Sequence, residues 1–162
     1  MKTKPYCLLA FLLLILTSCA LQKNVVDKPK IFEFGTSMNE MKSRLTSLTD
    51  SVVVRNNEPI QLPTAKNEQS QLDVYGFEYA GKKRKAELIF ADDALDIVWI
   101  LTDVEEEQRF IEHFKSKYGE PTHSTGEATF FLDNATAVRN KPHEVLFISE
   151  RLIEPYRQFL GN

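Results

Sequence analysis

Cysteine is almost missing from this chain of 162 residues. The only two, Cys7 and Cys19, lie within the first nineteen positions. Residues 20–162 can therefore form no disulfide among themselves and offer no thiol nucleophile or thiolate metal site. Histidine is scarce too. His113, His123 and His143 share no H-E-x-x-H or comparable spacing, so no metal centre is expected. No G-x-S-x-G turn is present, and Gly35-Thr36-Ser37 reads as a helix cap rather than a nucleophile site. No catalytic residue is assigned. An excess of basic residues is also lacking: 20 Lys and Arg face 23 Asp and Glu. A net charge of −3 gives no general attraction to nucleic acid. Nor does any apolar run reach the ~20 residues of a membrane-spanning helix.

What is present begins at the N-terminus. Lys2 and Lys4 are followed by an uncharged apolar run, residues 7–16, and then by Thr17-Ser18-Cys19. A basic start, a short apolar core and small residues before a cut site make a secretory signal peptide, residues 1–18. Lys23 and Asp27 end the apolarity soon afterwards. Removal of residues 1–18 takes away two lysines and moves the formal charge from −3 to −5.

Leu16, Thr17, Ser18 and Cys19 resemble the lipobox of bacterial lipoproteins, which has an aliphatic residue, two small residues and an invariant Cys. The resemblance implies a diacylglycerol on the Cys19 thiol, cleavage before Cys19 and an N-acyl lipid on the new amino group. Two or more acyl chains, at about 0.8 kcal/mol per buried methylene, hold a protein to a membrane where one chain would not. Ala20 follows the cysteine, where Asp retains enterobacterial lipoproteins in the inner membrane. The expected address is the outer membrane, facing the periplasm. Residues 20–30 are polar, contain Pro29 and read as a tether, so that 19–30 link the anchor to one domain, 31–162.

Within the domain, ten of the chain's eleven phenylalanines and clear hydropathy patterns indicate a packed core. Ser37 and Glu40 have capping-box spacing, and Met38, Met41, Leu45 and Leu48 follow on one helical face. Residues 51–55 suit a strand and 56–70, with two prolines, a long loop. Residues 72–79 alternate imperfectly. Tyr75, Phe77 and Tyr79 fall on one side, Leu72 and Val74 on the other, and Gly76 marks a bulge. Residues 85–91 alternate with Ala86, Leu88 and Phe90 inward, and 95–101 are nearly all apolar, as in a covered central strand. Asp92-Asp93 turns the chain between them. Thr102 and Glu105 repeat the capping spacing before a second helix, whose buried stripe is Phe110, Ile111, Phe114 and Tyr118 and whose stop is Gly119 and Pro121. Strands follow at about 127–132, 135–139 and 144–149, and Pro155 opens a short helix, 155–160. The order implies an α+β fold: an antiparallel sheet with two main helices packed on one face and a short C-terminal helix.

Residues 34–45 resemble the opening helix of the small lipoproteins of outer-membrane protein assembly and of β-lactamase-inhibitor-like domains. Gly35, Ser37, Glu40, Met41 and Leu45 carry the likeness. The Gly-x-Pro that usually follows such a helix is absent, since residues 46–50 read Thr-Ser-Leu-Thr-Asp. The resemblance implies an accessory role in envelope assembly, or inhibitor-like binding. The basic run Lys82-Lys83-Arg84-Lys85 is a candidate partner contact at a hairpin tip. Asp92, Asp93 and Asp96 read as a solvated turn and an outward strand residue. The functional expectation is a membrane-anchored, non-catalytic binding module with an envelope protein partner and no cofactor beyond its lipid. The alternatives are a small-ligand or lipid binder built around Tyr75, Phe77, Tyr79 and Trp99, and a hydrolase without a recognisable motif.

Overall fold

Each of the two capped helices leads into four antiparallel strands, and the two sets of strands join into one sheet. The computed structural model describes residues 26–161. Helix α1 (Met38–Thr46) precedes β1 (Ser51–Glu58), β2 (Gln69–Tyr79), β3 (Lys82–Ala91) and β4 (Ala94–Leu101). A 3-10 turn, Val104–Glu106, then leads into α2 (Glu107–Tyr118). After it come β5 (His123–Ser124), β6 (Ala128–Phe131), β7 (Thr136–Asn140) and β8 (His143–Ile148). Helix α3 (Glu150–Leu160) ends the chain. The spatial order is β1-β2-β3-β4-β8-β7-β6-β5, every neighbouring pair antiparallel. The α+β expectation holds, with α1 and α2 sharing one face of the sheet.

That face carries the larger core. Met41 and Leu45 of α1 and Phe110 and Phe114 of α2 are fully buried against Leu72, Val74, Leu88, Phe90, Val98, Ile100 and Phe147. Helix α1 starts where Ser37 Oγ accepts the Glu40 N–H at 3.3 Å, while Asp93 Oδ1 accepts the Met38 N–H at 2.9 Å from 55 residues away. The expected Glu40 half of the capping box is not made; Glu40 pairs with Arg44 one turn on, at 2.6 Å. At the 3-10 turn that leads into α2 the box shifts by one residue, to Asp103 and Glu106. The reason is that Thr102 remains tied to the sheet through its N–H to the His143 carbonyl.

Four further differences have physical causes. Gly76, at φ +75°, carries a bulge that changes the phase of β2, so Phe77 and Tyr79 join Leu72 and Val74 in the core. Tyr75 is left on the other face, 40% exposed. The C-terminal helix begins at Glu150, not Pro155, because Ser149 ends β8 and supplies the helix boundary; Pro155 lies inside the helix. Helix α3 covers the opposite face, where Leu152 is buried against Ile97, Leu146 and Ile148. Finally, residues 26–30 are no free tether. Val26 is buried and its carbonyl accepts the Tyr79 hydroxyl, and Asp27 meets Lys117 at 2.7 Å and His113 at 3.1 Å.

Candidate binding groove

The sheet face turned away from α1 and α2 is apolar at one end and charged at the other. Alternation puts Val53, Arg55, Asp73, Lys85, Glu87, Ile89, Ile97, Trp99, Glu144, Leu146, Ala137 and Arg139 on it, since cross-strand partners share a face. Helix α3 and the loop between β1 and β2 roof only part of this surface.

A buried carboxylate fixes the roof. Asp96 is fully buried and accepts Thr64 Oγ1 at 2.6 Å, Ser149 Oγ at 2.6 Å and both Arg151 Nε and Nη2, at 3.1 and 2.7 Å. One side chain thus ties β4 to the loop and to the start of α3. Gln69 Oε1 holds the same loop by accepting the N–H groups of Gln61 and Leu62, both at 3.0 Å.

Between these roof elements lies a groove. One compartment, about 560 Å3, is lined by Trp99, Phe130, Ala137, Arg139, Leu146 and Tyr156 among others, with Phe159 at its rim. A second, about 470 Å3, shares Trp99, Arg139 and Tyr156 with it and extends past Glu87 to the β1–β2 loop. A third, about 310 Å3, shares Tyr156 and Phe159. Phe159 is 76% exposed, the most exposed large apolar side chain among the described residues.

Arg139 is the cation of the groove. Its guanidinium lies 4.4 Å from the centre of the Trp99 ring, within cation–π range, and its Nη2 pairs with Glu144 Oε1. Its buried Nε has no hydrogen-bond partner among the described residues. Glu144 is nearly fully buried. Burial pushes its carboxyl up to about 7, against the opposing pull of Arg139, and the Glu87 charge adds to the rise. Farther along the face, Asp73 meets Arg55 at 2.7 Å, Gln71 at 2.7 Å and Lys85 at 3.3 Å. Burial raises Asp73, but the hydrogen bonds from Gln71 and Arg55 and the Lys85 charge outweigh it and hold the carboxyl below its ordinary range. The first compartment therefore combines an aromatic and aliphatic floor with one guanidinium and, from Glu127, one carboxylate, while the second adds the carboxylates of Glu58 and Glu87 and the amides of Gln61, Gln69 and Gln71. Among the described residues, no serine, cysteine or histidine lines the groove.

The expected site residues are dispersed. Leu16, Thr17, Ser18 and Cys19 lie outside the described residues. Of the basic run, Lys82 pairs with Asp103 at 2.5 Å, Lys83 with Asp50 at 2.6 Å and Lys85 with Glu87 at 2.6 Å. Arg84 is buried, bonded to Glu106 and to the Tyr79 carbonyl, and so is not presented to a partner. The four aromatics do not converge. Phe77 and Tyr79 fill the helix-side core, while Tyr75 and Trp99 lie on the other face. Asp92 is no merely solvated turn residue, for it accepts the N–H groups of Lys66, Asn67 and Glu68. Asp96, expected outward, is the buried clasp described above. Among the described residues no group of His, Asp and Glu is arranged to hold a metal ion. No helix among them is long and apolar enough to cross a membrane.

Sequence reasoning passed over Arg139, Glu144 and Tyr156. The signal was available for two of them. In a strand whose adjacent residues Ala137 and Val138 are covered on opposite faces, a charged residue at 139 facing another at 144 across a hairpin marks a polar spot on a buried face.

A family model described as "Uncharacterised protein" matches residues 30–151. The chain belongs to that family. The match takes in α1, α2 and all eight strands, hence Trp99, Arg139 and Glu144, and stops at the second residue of α3. No curated protein and no solved structure matches the chain.

Proposed function

We propose that the protein is an envelope lipoprotein, anchored by acyl chains on Cys19, whose domain is a non-catalytic binding module. Its binding surface is the groove beneath α3, and its occupant is an apolar segment of an envelope protein partner. One observation carries this reading: α1 and α2 seal one sheet face, while the other keeps an open groove of about 560 Å3 with an aromatic floor, a guanidinium and an exposed phenylalanine at its rim. Concave, mostly apolar sites with a few placed polar groups are where ligands bind, and aromatic and Arg anchors dominate interface energetics.

A photo-cross-linking amino acid at position 159 in intact cells tests this. The expected result is a discrete protein adduct, reduced several-fold by Arg139→Gln, with none from position 120 on an exposed loop. Equal labelling at both positions, or none at 159, would overturn it. The second reading is an amphiphile with an anionic group, favoured by the cavity volume and by Arg139. It predicts an adduct at 159 that adds only the mass of a small molecule.

A further inference from the structure

The two edges of the sheet are unlike. At one edge β5 is two residues long and offers almost nothing to pair with. At the other, β1 is eight residues long, and its first five, Ser51 to Arg55, run in unbroken register with β2. The irregularity in β1 and Pro59 both come after Arg55. Natural edges are guarded by shortness, lysine, proline or a bulge. The Ser51–Arg55 stretch has none of these, and its single charge is drawn onto the sheet by Asp73.

Exposed apolar side chains gather at the same edge. Among the described residues six large ones are exposed, and four of them border β1: Leu48, Val53, Ile60 and Tyr75. Tyr75 is there because it pairs with Ser51.

We propose that β1 is a dimer interface, pairing antiparallel with β1 of a second copy of this chain about a two-fold axis at Val53. The residues are self-complementary in that register. Val53 faces its own counterpart, Val52 faces Val54, Ser51 faces Arg55 and Asp50 faces Asn56, so no like charges oppose each other. The pairing also brings the Leu48 end of each copy to the Ile60 end of the other. The interface is isologous and closes at two chains, because the short β5 edge stops further growth.

Disulfide trapping in the full chain, in its native membrane, tests the register. Directly opposed residues of an antiparallel pair lie about 4.5–5.5 Å apart at Cα, within disulfide reach. Val53→Cys is therefore expected to give at least tenfold more covalent dimer than Ser51→Cys, whose counterpart is Arg55. Val53→Lys is expected to move the detergent-solubilised chain from dimer to monomer in sedimentation. Dimer from Val53→Cys no greater than from Ser51→Cys overturns the proposal, as does a cross-link from position 53 to a different protein. The groove reading stands or falls separately, at position 159.

Discussion

At the residue scale the chain places ionisable groups on buried sheet surface and settles each differently. Asp73 has three donors and stays charged. Asp96 is saturated by a threonine, a serine and an arginine. Glu144 shares one guanidinium and has Glu87 nearby, so burial prevails and its carboxyl rises to about 7. A carboxyl whose folded value exceeds its unfolded value of 4.5 favours the protonated fold. That stabilisation is complete below about 4.5 and is lost as pH rises through about 7. Glu144→Gln keeps the neutral form at every pH. Thermal or urea unfolding at pH 8 is expected to find the variant more stable than the parent by about 2 kcal/mol, with the gap nearly closed at pH 5. A gap that widens towards pH 5 would contradict the raised value. Such residues are hard to read from sequence. Asp96 sits beside an Asp-Asp turn and looks like part of it, and the partners that bury it come from positions 64, 149 and 151.

At the element scale, local chemistry carried most of the legible information. Ser37 and Gly119 mark real helix ends, and the Asp92-Asp93 and Gly81 turns are where the chain reverses, at positive φ. What failed to show was phase and extent. Gly76 was recognisable as a bulge residue, but a bulge also reverses the inside and outside of everything after it. Tyr75 and Phe77 are thus separated even though they alternate in sequence. Helix α3 is longer than Pro155 suggests, because Ser149 follows the strand and supplies the helix N-cap six residues before the proline. The bulge also gives a prediction. A Cβ at Gly76 would lie 2.3 Å from Asp50 Cγ and 2.9 Å from Asp50 Cβ, at a φ that side chains rarely adopt. Gly76→Ala is expected to cost about 2 kcal/mol in urea unfolding. Gly126→Ala, where a Cβ meets nothing within 4 Å, is the control and is expected to cost far less.

At the scale of the whole molecule, the topology repeats: a helix and four antiparallel strands, twice, joined through the last strand of each unit. Because β4 and β8 are antiparallel and both helices lie on one face, the two units are related by an approximate two-fold axis normal to the sheet. The order of elements was legible from capping and turn residues. The joining of β4 to β8 was not, since it depends on which of several apolar strands becomes central. Anchoring also belongs to this scale. Cys19→Ala is expected to abolish acylation and leave unprocessed or mislocalised chain. Labelling with an alkyne fatty acid and membrane fractionation check it, and normal processing with membrane retention would overturn the lipoprotein reading.

The fastening of Val26 under the Tyr79 hydroxyl bears on how such a molecule would stand on its membrane. If lipid is carried by Cys19, the covalent leash up to Val26 reaches at most about 25 Å. Val26 itself lies on the α2 side of the sheet, and Asp27 next to it meets His113 and Lys117. So short a leash, joined to Val26 on that side, would set the helix-covered face toward the bilayer. Trp99 and Arg139 would then look outward, into the aqueous space a partner must cross.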